Sequence, residues 1–443
     1  MREAFVSRGA VSVGEEEPAD VYVINTCTVT NIADRKSRQF IRRARRISPD
    51  ALIVVTGCYA QVEPEEVAGM PEVDLVVGIG QKARICDIVL RMLSEKAAGM
   101  PYEDDDAAEA KRIMVLPRSE LTEFEDMGLV SSRESGMTRA YVKIQEGCDR
   151  FCSYCLIPYA RGPVRSRPLA EITAEVRMLL ESGIREIVLT GINTALYGTE
   201  AGAQHSLEDL LAELDAIEMP DGDDFRVRLS SLEPTVVDKD HVEKIIRFRR
   251  LCHHLHLSVQ NGSDSVLHAM NRHYTRSEYL DIVRAIRDYD PLYGITTDII
   301  VGFPGEKEED FADTINIVRE AEFGKVHVFR YSPRKGTAGA SLPDAVPGQV
   351  KNDRSDLLEQ AAGETARRFM EKNFGTVHTV LAEEVRDGYV TGYTDNYIKV
   401  YIPAGDTGSG ERAGEHTDSP RLGSFCRVQL TQIFRDGCMA DLI

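Results

Sequence analysis

No run of apolar residues in this 443-residue chain approaches the roughly 20 needed to cross a bilayer. The opening stretch, MREAFVSRGAVSVGEEEPAD, lacks the charged-then-apolar layout of a secretory signal. Together these absences exclude a membrane partner and point to the cytoplasm. Positive charge is also in deficit. Lys and Arg number 53 against 72 Asp and Glu, a net charge of −19. This counts against broad, nonspecific nucleic-acid binding, which requires phosphate neutralisation, but does not exclude a local basic face on an acidic body. The nine cysteines are an odd number in a long chain without a signal, which argues against a disulfide framework and for reduced thiols, some holding metal. What is present, 42% hydrophobic and 28% charged residues, is ordinary for a globular protein of two to four domains.

The chain divides into four stretches: 1–97, 98–136, 137–372 and 373–443. In the first, DVYVIN (20–25) and ALIVVT (51–56) are continuous apolar runs, as expected of buried parallel strands. Val73–Val77 suggests a third strand. Asp34–Ile47 and Ala83–Leu93 read as amphipathic helices, so the block is an open α/β layer. The second stretch, with GMPYEDDDAAEAK, reads as an acidic linker. In the third, strands are expected at 140–145, 186–190, 226–231, 254–259, 297–301 and 325–331. Helices are expected between them, at 169–182, 277–289 and 308–321 among others. Six βα units imply a parallel sheet curled into a partial or full barrel, with the chemistry on the loops after the strands. The fourth stretch consists of short strands bounded by Gly, Asp and Asn, the pattern of a small antiparallel barrel of a kind that often binds RNA.

The most specific signal is GCDRFCSYC (147–155), directly after the first barrel strand. Cys148, Cys152 and Cys155, spaced C-x3-C-x2-C on one short loop, can hold three corners of a [4Fe–4S] cube. The fourth iron is left open to chelate the amino and carboxylate groups of S-adenosylmethionine (SAM), whose reductive cleavage yields a 5′-deoxyadenosyl radical. Structural zinc is the alternative. It takes four ligands, commonly from two C-x2-C-type pairs, and no fourth Cys or His lies nearby in this sequence.

Other segments suit the same pocket. Tyr154 lies on the cysteine loop itself. Thr190, Gly191 and Asn193 follow the second barrel strand. Ser231 and Glu233, Gln260, and Val301 with Gly302 stand at three further strand ends. Each alone is more often a tight turn or a helix start. Four such segments on one side of a barrel point to a shared pocket for the carboxylate, ribose and adenine of SAM.

The segments GCDRFCSYCLIPYARGPVRSR (147–167), INTCTVTNIADRKSRQ (24–39), VLTGINTALYG (188–198), RLSSLEP (228–234), HLHLSVQNGSD (254–264), TDIIVGFPGE (297–306) and FRYSPRKGTAGA (329–340) resemble the methylthiotransferases of the radical-SAM superfamily. The resemblance covers almost the whole chain, including a C-terminal RNA-binding barrel of the TRAM type. NTCTVTNIADRKSRQ, IPYARG and GYTDNYIKV are most similar to the subgroup acting on N6-threonylcarbamoyladenosine at tRNA position 37, the MtaB type. Relatives act on isopentenyladenosine in tRNA or on an aspartate of a ribosomal protein. A third reading is an RNA-binding iron–sulfur protein without thiolating activity.

The resemblance implies an N-terminal methylthiotransferase domain, a radical-SAM (βα)6 partial TIM barrel and the TRAM barrel. It also implies that one SAM supplies the radical that takes hydrogen from C2 of adenine and another supplies the methyl group. A second, auxiliary [4Fe–4S] cluster in the N-terminal domain supplies or carries sulfur. A flavodoxin-type or other reductase and a sulfur source are the implied further partners. Cys148, Cys152 and Cys155 match the radical-SAM ligands. Cys27 and Cys58 match the second and third of three auxiliary-cluster cysteines. The first normally lies ahead of the point where this chain begins, together with one strand. Either the start is assigned too late or the site is genuinely incomplete. The first is the expectation, because losing a parallel strand would expose a sheet edge. Cys86, in a helix, reads as a core cysteine rather than a substitute ligand.

For RNA, the helix bearing Arg35, Lys36, Arg38, Arg42, Arg45 and Arg46 is the densest basic face, ordinarily a solvated surface but a plausible phosphate contact. Arg161, Arg165 and Arg167 follow the cysteine loop, and they suit the anticodon loop or the carboxylate of a threonylcarbamoyl group. Arg334 and Lys335 are similar candidates. Tyr389, Tyr393, Tyr397 and Tyr401 either stack on bases or pack the barrel.

Overall fold

The structure is a computed structural model; residues 1–28, 30–98, 113–125, 138–219, 224–404 and 419–443 are described. By backbone proximity the chain forms two compact units. One comprises 1–130, 146–165 and 332–341, and the other 131–145, 166–331 and 342–443. The cysteine loop therefore groups with the N-terminal stretch, and the grouping cuts across the 137–372 block.

In the first unit, the strands Val21–Thr26, Leu52–Gly57, Leu75–Val77 and Ile113–Met114 form one parallel sheet in that order. The last of these comes from the stretch read as a linker: Ile113 and Met114 pair with Val76 and Val77. Within that stretch, 99–112 and 126–136 lie outside the described residues. The central strands are buried at every position because both faces are covered. Ile53 and Val55 join Ile41 and Ala44 of the helix Asn31–Ile47 in one cluster, while Leu52 and Val54 join Ile85, Ile88 and Val89 of the helix Ile85–Ala97 in another. The helix Asn31–Ile47 begins where Thr30 Oγ1 accepts the Ala33 N–H at 3.2 Å, a side-chain cap for one of the unpaired first-turn donors.

In the second unit, Arg139–Lys143, Glu186–Thr190 and Arg226–Leu229 form one parallel sheet. Ser231–Leu232, His254–Leu257, Gly294–Val301 and Lys325–Arg330 form a second. Both run in sequence order, the order in which a barrel winds, and a parallel bridge joins Val227 to Leu251. The helices Leu169–Glu181, Arg276–Tyr289 and Glu308–Ala321 stand within one residue of their expected limits. Their apolar faces complete one continuous core with the strands. A 25-residue helix, Gly348–Lys372, leads into five strands closed into a barrel: Val377–Arg386, Tyr389–Thr394, Lys399–Pro403, Phe425–Phe434 and Gly437–Leu442.

This barrel is joined to the beginnings of the parallel strands by charge. Arg226 and Arg228 both reach Glu186 and then donate onward to barrel carbonyls. Arg226 contacts Tyr393 O at 2.9 Å, and Arg228 contacts Asp395 O at 3.0 Å. Tyr397 stacks on His254 with ring centroids 4.5 Å apart, and on Tyr393 at 5.0 Å. Tyr393 and Tyr397 thus pack where the barrel meets the parallel strands. Tyr401 is buried beside Tyr389 and Phe434. Among the described residues no helix is long and apolar enough to cross a membrane.

Candidate active site

The cysteine loop closes on itself through its backbone. Cys148 N donates to Gly162 O at 3.0 Å and Cys155 N to Cys152 O at 2.9 Å. Gly147 has φ +76°, and a Cβ there would lie 1.7 Å from Pro163 O, so only glycine lets the two ends of the loop meet. Phe151 takes the left-handed conformation with φ +48°. This brings three half-buried thiols onto one short turn, and Ile157 N donates to Cys155 Sγ at 3.4 Å. By contrast, Cys86, Cys252 and Cys438 are buried. Cys86 Sγ–H donates to Ala4 O at 3.2 Å, as fits a core thiol.

The donor set fits a cube. Three half-buried cysteines on one turn can each take one of three corner irons, whereas structural zinc takes four ligands.

Cys27 and Cys58 follow directly on Thr26 and Gly57, which are register partners on adjacent parallel strands. The two cysteines therefore follow neighbouring strand ends of one sheet, Cys27 exposed and Cys58 buried. Gly57, at φ +100°, lets the chain turn into the helix Cys58–Val62 while passing the Thr26 backbone; a Cβ would meet Thr26 O at 2.1 Å.

In the second unit the strand ends carry a linked polar set. Asn193 N–H donates to Gln145 Oε1 at 3.1 Å, and Asn193 Nδ2 donates to Glu233 Oε2 at 3.3 Å. Glu233 also accepts from Arg272 at 2.8 Å and from Thr235 at 2.7 Å. Thr194 Oγ1 bonds Ser231 O at 2.9 Å, and Thr190 Oγ1 bonds Val142 O at 3.3 Å. Gly191 lies against Gln145, whose Cβ is 3.0 Å from where a Gly191 Cβ would stand. Two atoms of this region, Asn193 Oδ1 and Ser230 Oγ, are buried with no hydrogen-bond partner. Buried polar atoms are normally paired, so these two stand open to a polar partner. Gly302 has φ +73° and its N–H donates to Glu306 Oε1 at 3.0 Å. Gln260, at φ +65°, is tied into the sheet through Asp298 O and Ile300 N.

Several of the assigned side chains are buried. That of Val301, a candidate cofactor residue, lies fully buried in the hydrophobic core. Arg165, expected at RNA, is buried, and one of its nitrogens serves three carbonyls, those of Leu121, Arg161 and Pro163. Arg167 is buried against Glu175. Arg161 donates to Glu146 Oε1 at 2.5 Å and to Cys58 Sγ at 3.3 Å. Arg38 is half-buried against Tyr59 Oη at 3.0 Å, and Arg45 is held by the carbonyls of Pro49, Ala51 and Glu72 and by Asp74. Arg334 is buried among Asn31, Thr28 and Asp34, each at 2.5 Å. Arg35 and Arg42 remain exposed. The sequence reading did not single out Gln145, Glu146 or Arg272, whose side chains bond to Asn193, Arg161 and Glu233. The first two carried a signal, since they immediately precede Gly147.

Residues 142–318 match the Radical SAM superfamily, and residues 1–78 match the Uncharacterized protein family UPF0004. The chain is 39% identical over 390 residues to the threonylcarbamoyladenosine tRNA methylthiotransferase MtaB of Bacillus subtilis, covering 87% of this chain and 82% of that one. It is 38% identical to the protein of that name from Aquifex aeolicus, over 90% and 92% of the two chains. It is 36% identical to the tRNA-2-methylthio-N(6)-dimethylallyladenosine synthase of Carboxydothermus hydrogenoformans, over 85% and 82%. Among solved structures, the radical S-adenosylmethionine methyltransferase TsrM of Kitasatospora setae superposes with a TM-score of 0.53 at 18% identity, covering 72% of this chain and 64% of that one. At that identity the likeness is one of fold.

Proposed function

Because the chain belongs to the radical-SAM methylthiotransferase family, we propose that it attaches a methylthio group to C2 of N6-threonylcarbamoyladenosine at position 37 of tRNA. The observation that carries this reading is the chain-long similarity, at 35–39% identity, to four enzymes named for that activity.

Cys148, Cys152 and Cys155 would hold the SAM-binding [4Fe–4S] cluster, and Cys27 with Cys58 would ligate the second. When bound, these groups supply one-electron cleavage of the SAM sulfonium and the sulfur to be transferred. The residues of this chain bind and orient. Asn193 and Ser230 offer their unsatisfied oxygens to SAM, Glu233 is held in place by Arg272, and Gly191 and Gly302 admit close backbone approach. Tyr154, Thr190, Ser231 and Gln260 complete the assignment. The closed C-terminal barrel is assigned as a TRAM-type RNA module, and the exposed Arg35 and Arg42 as phosphate contacts. Position 37 stands in a loop, where unstacking the target base costs less than in a duplex. A cytoplasmic setting, with a flavodoxin-type donor and a separate sulfur source, completes the reading.

Nucleoside mass spectrometry of tRNA from a deletion strain tests it. The 2-methylthio derivative of N6-threonylcarbamoyladenosine should disappear and return on complementation. Loss of the methylthio form of isopentenyladenosine instead, or unchanged tRNA, overturns the substrate assignment.

A further inference from the structure

The side chain of Arg161 joins the three-cysteine loop to Cys58. Arg161 ends the short helix Ile157–Arg161 that follows Cys155. Its Nη1 donates to Glu146 Oε1 at 2.5 Å, and Glu146 immediately precedes the Gly147 turn. Its Nε donates to Cys58 Sγ at 3.3 Å. The guanidinium therefore bonds the residue at the entrance of the loop from a position at its exit, and it reaches across to the first residue of the helix Cys58–Val62. Cys58 and Glu146 are both buried, so these charge-assisted bonds are little screened by water. Lys82 adds a second cation nearby. It donates to Asn25 Oδ1 at 3.1 Å, two residues before Cys27. Burial, and then repulsion from Arg161, hold its pKa below the usual lysine value.

We infer that Arg161 is a positioning residue for the N-terminal cluster: it fixes the Cys58 sulfur and raises the reduction potential of whatever cluster that sulfur ligates. The inference rests on the proposed function for Cys58 as a ligand. The physics is general: hydrogen bonds and positive charge at a ligating sulfur stabilise the more negative, reduced state. The same guanidinium closes the radical-SAM loop through Glu146, so displacement of either loop is felt by the other. A bidentate planar fork suits this double duty, whereas a lysine ammonium is a point charge on a flexible stem.

The test uses the full chain, reconstituted anaerobically with iron and sulfide. Cys148, Cys152 and Cys155 are replaced by Ala, so that any remaining cluster belongs to the N-terminal site. Iron content and an EPR-monitored redox titration are then compared with and without R161Q and R161K. Expected is about four irons per chain in the parent, with the midpoint moved to more negative potential in R161Q and by a smaller shift in R161K. Iron retained with the midpoint unmoved overturns the inference about Arg161 alone. A parent holding no iron overturns the ligand assignment of Cys58 and the inference with it. If R161Q loses iron, R161K decides: a negative shift supports the inference and an unchanged midpoint overturns it.

Discussion

Arg226 donates its Nε–H to Glu186 Oε2 at 2.6 Å, around a carboxylate with no solvent exposure. Arg228 Nε reaches the other oxygen at 2.9 Å, and Arg139 lies 3.6 Å away. Burial alone would keep Glu186 protonated, yet Arg228 and Arg226 outweigh it and hold the carboxyl at about 2. The same arginines continue to the carbonyls of the C-terminal barrel. Docking of that barrel therefore depends on one buried anion.

Glu186→Gln leaves three arginines without their common counter-charge. Removing one partner of a buried ion pair costs about 3–5 kcal/mol, and chemical denaturation should show a loss of that size. The pH dependence has a definite sign. The folded-state pKa lies below the ordinary 4.5, so the stabilisation is complete above about pH 4.5 and is lost as pH falls toward 2. The variant should lack that acid-dependent loss.

Gly147→Ala places a Cβ 1.7 Å from Pro163 O at a backbone angle of +76°. The loop cannot close as it does with glycine. Iron bound by the three-cysteine site should fall, and 5′-deoxyadenosine formation from SAM should drop on the order of 100-fold, the scale of a misplacement near 1 Å. Normal SAM cleavage in this variant would contradict the role given to the turn.

Arg334→Ala should release the segment after Cys27. Its guanidinium binds Thr28, Asn31 and Asp34, and Asp34 would be left buried and unpaired, a cost of about 3–5 kcal/mol. Hydrogen exchange should accelerate in peptides covering Thr28–Asp34. SAM cleavage at the three-cysteine loop should change far less.

Phosphate contacts are read from salt dependence. Replacing Arg35 and Arg42 by Gln should flatten the slope of log K against log salt for tRNA binding by about 0.7–0.9 per arginine. Arg165→Gln, at a buried site, should lower stability and leave the slope unchanged. Equal slopes in all three proteins would remove the helix Asn31–Ile47 from the RNA interface.

The sequence by itself determined what depends on neighbours along the chain. The C-x3-C-x2-C spacing fixes which three thiols share a loop. Runs such as ALIVVT specify strands covered on both faces, because every position must find an apolar neighbour. The alternation of strand and helix specifies a parallel sheet. Tertiary structure alone decided the fate of the arginines. Arg35, Arg161, Arg165 and Arg334 look alike in a sequence, and a basic residue beside an active-site motif reads as a substrate contact. What a guanidinium does depends on the anion, sulfur or carbonyl that folding brings to it. Asp34 is 300 residues from Arg334, and Cys58 is 103 from Arg161. No local pattern encodes such pairings, because their energy arises only once both partners are removed from water together.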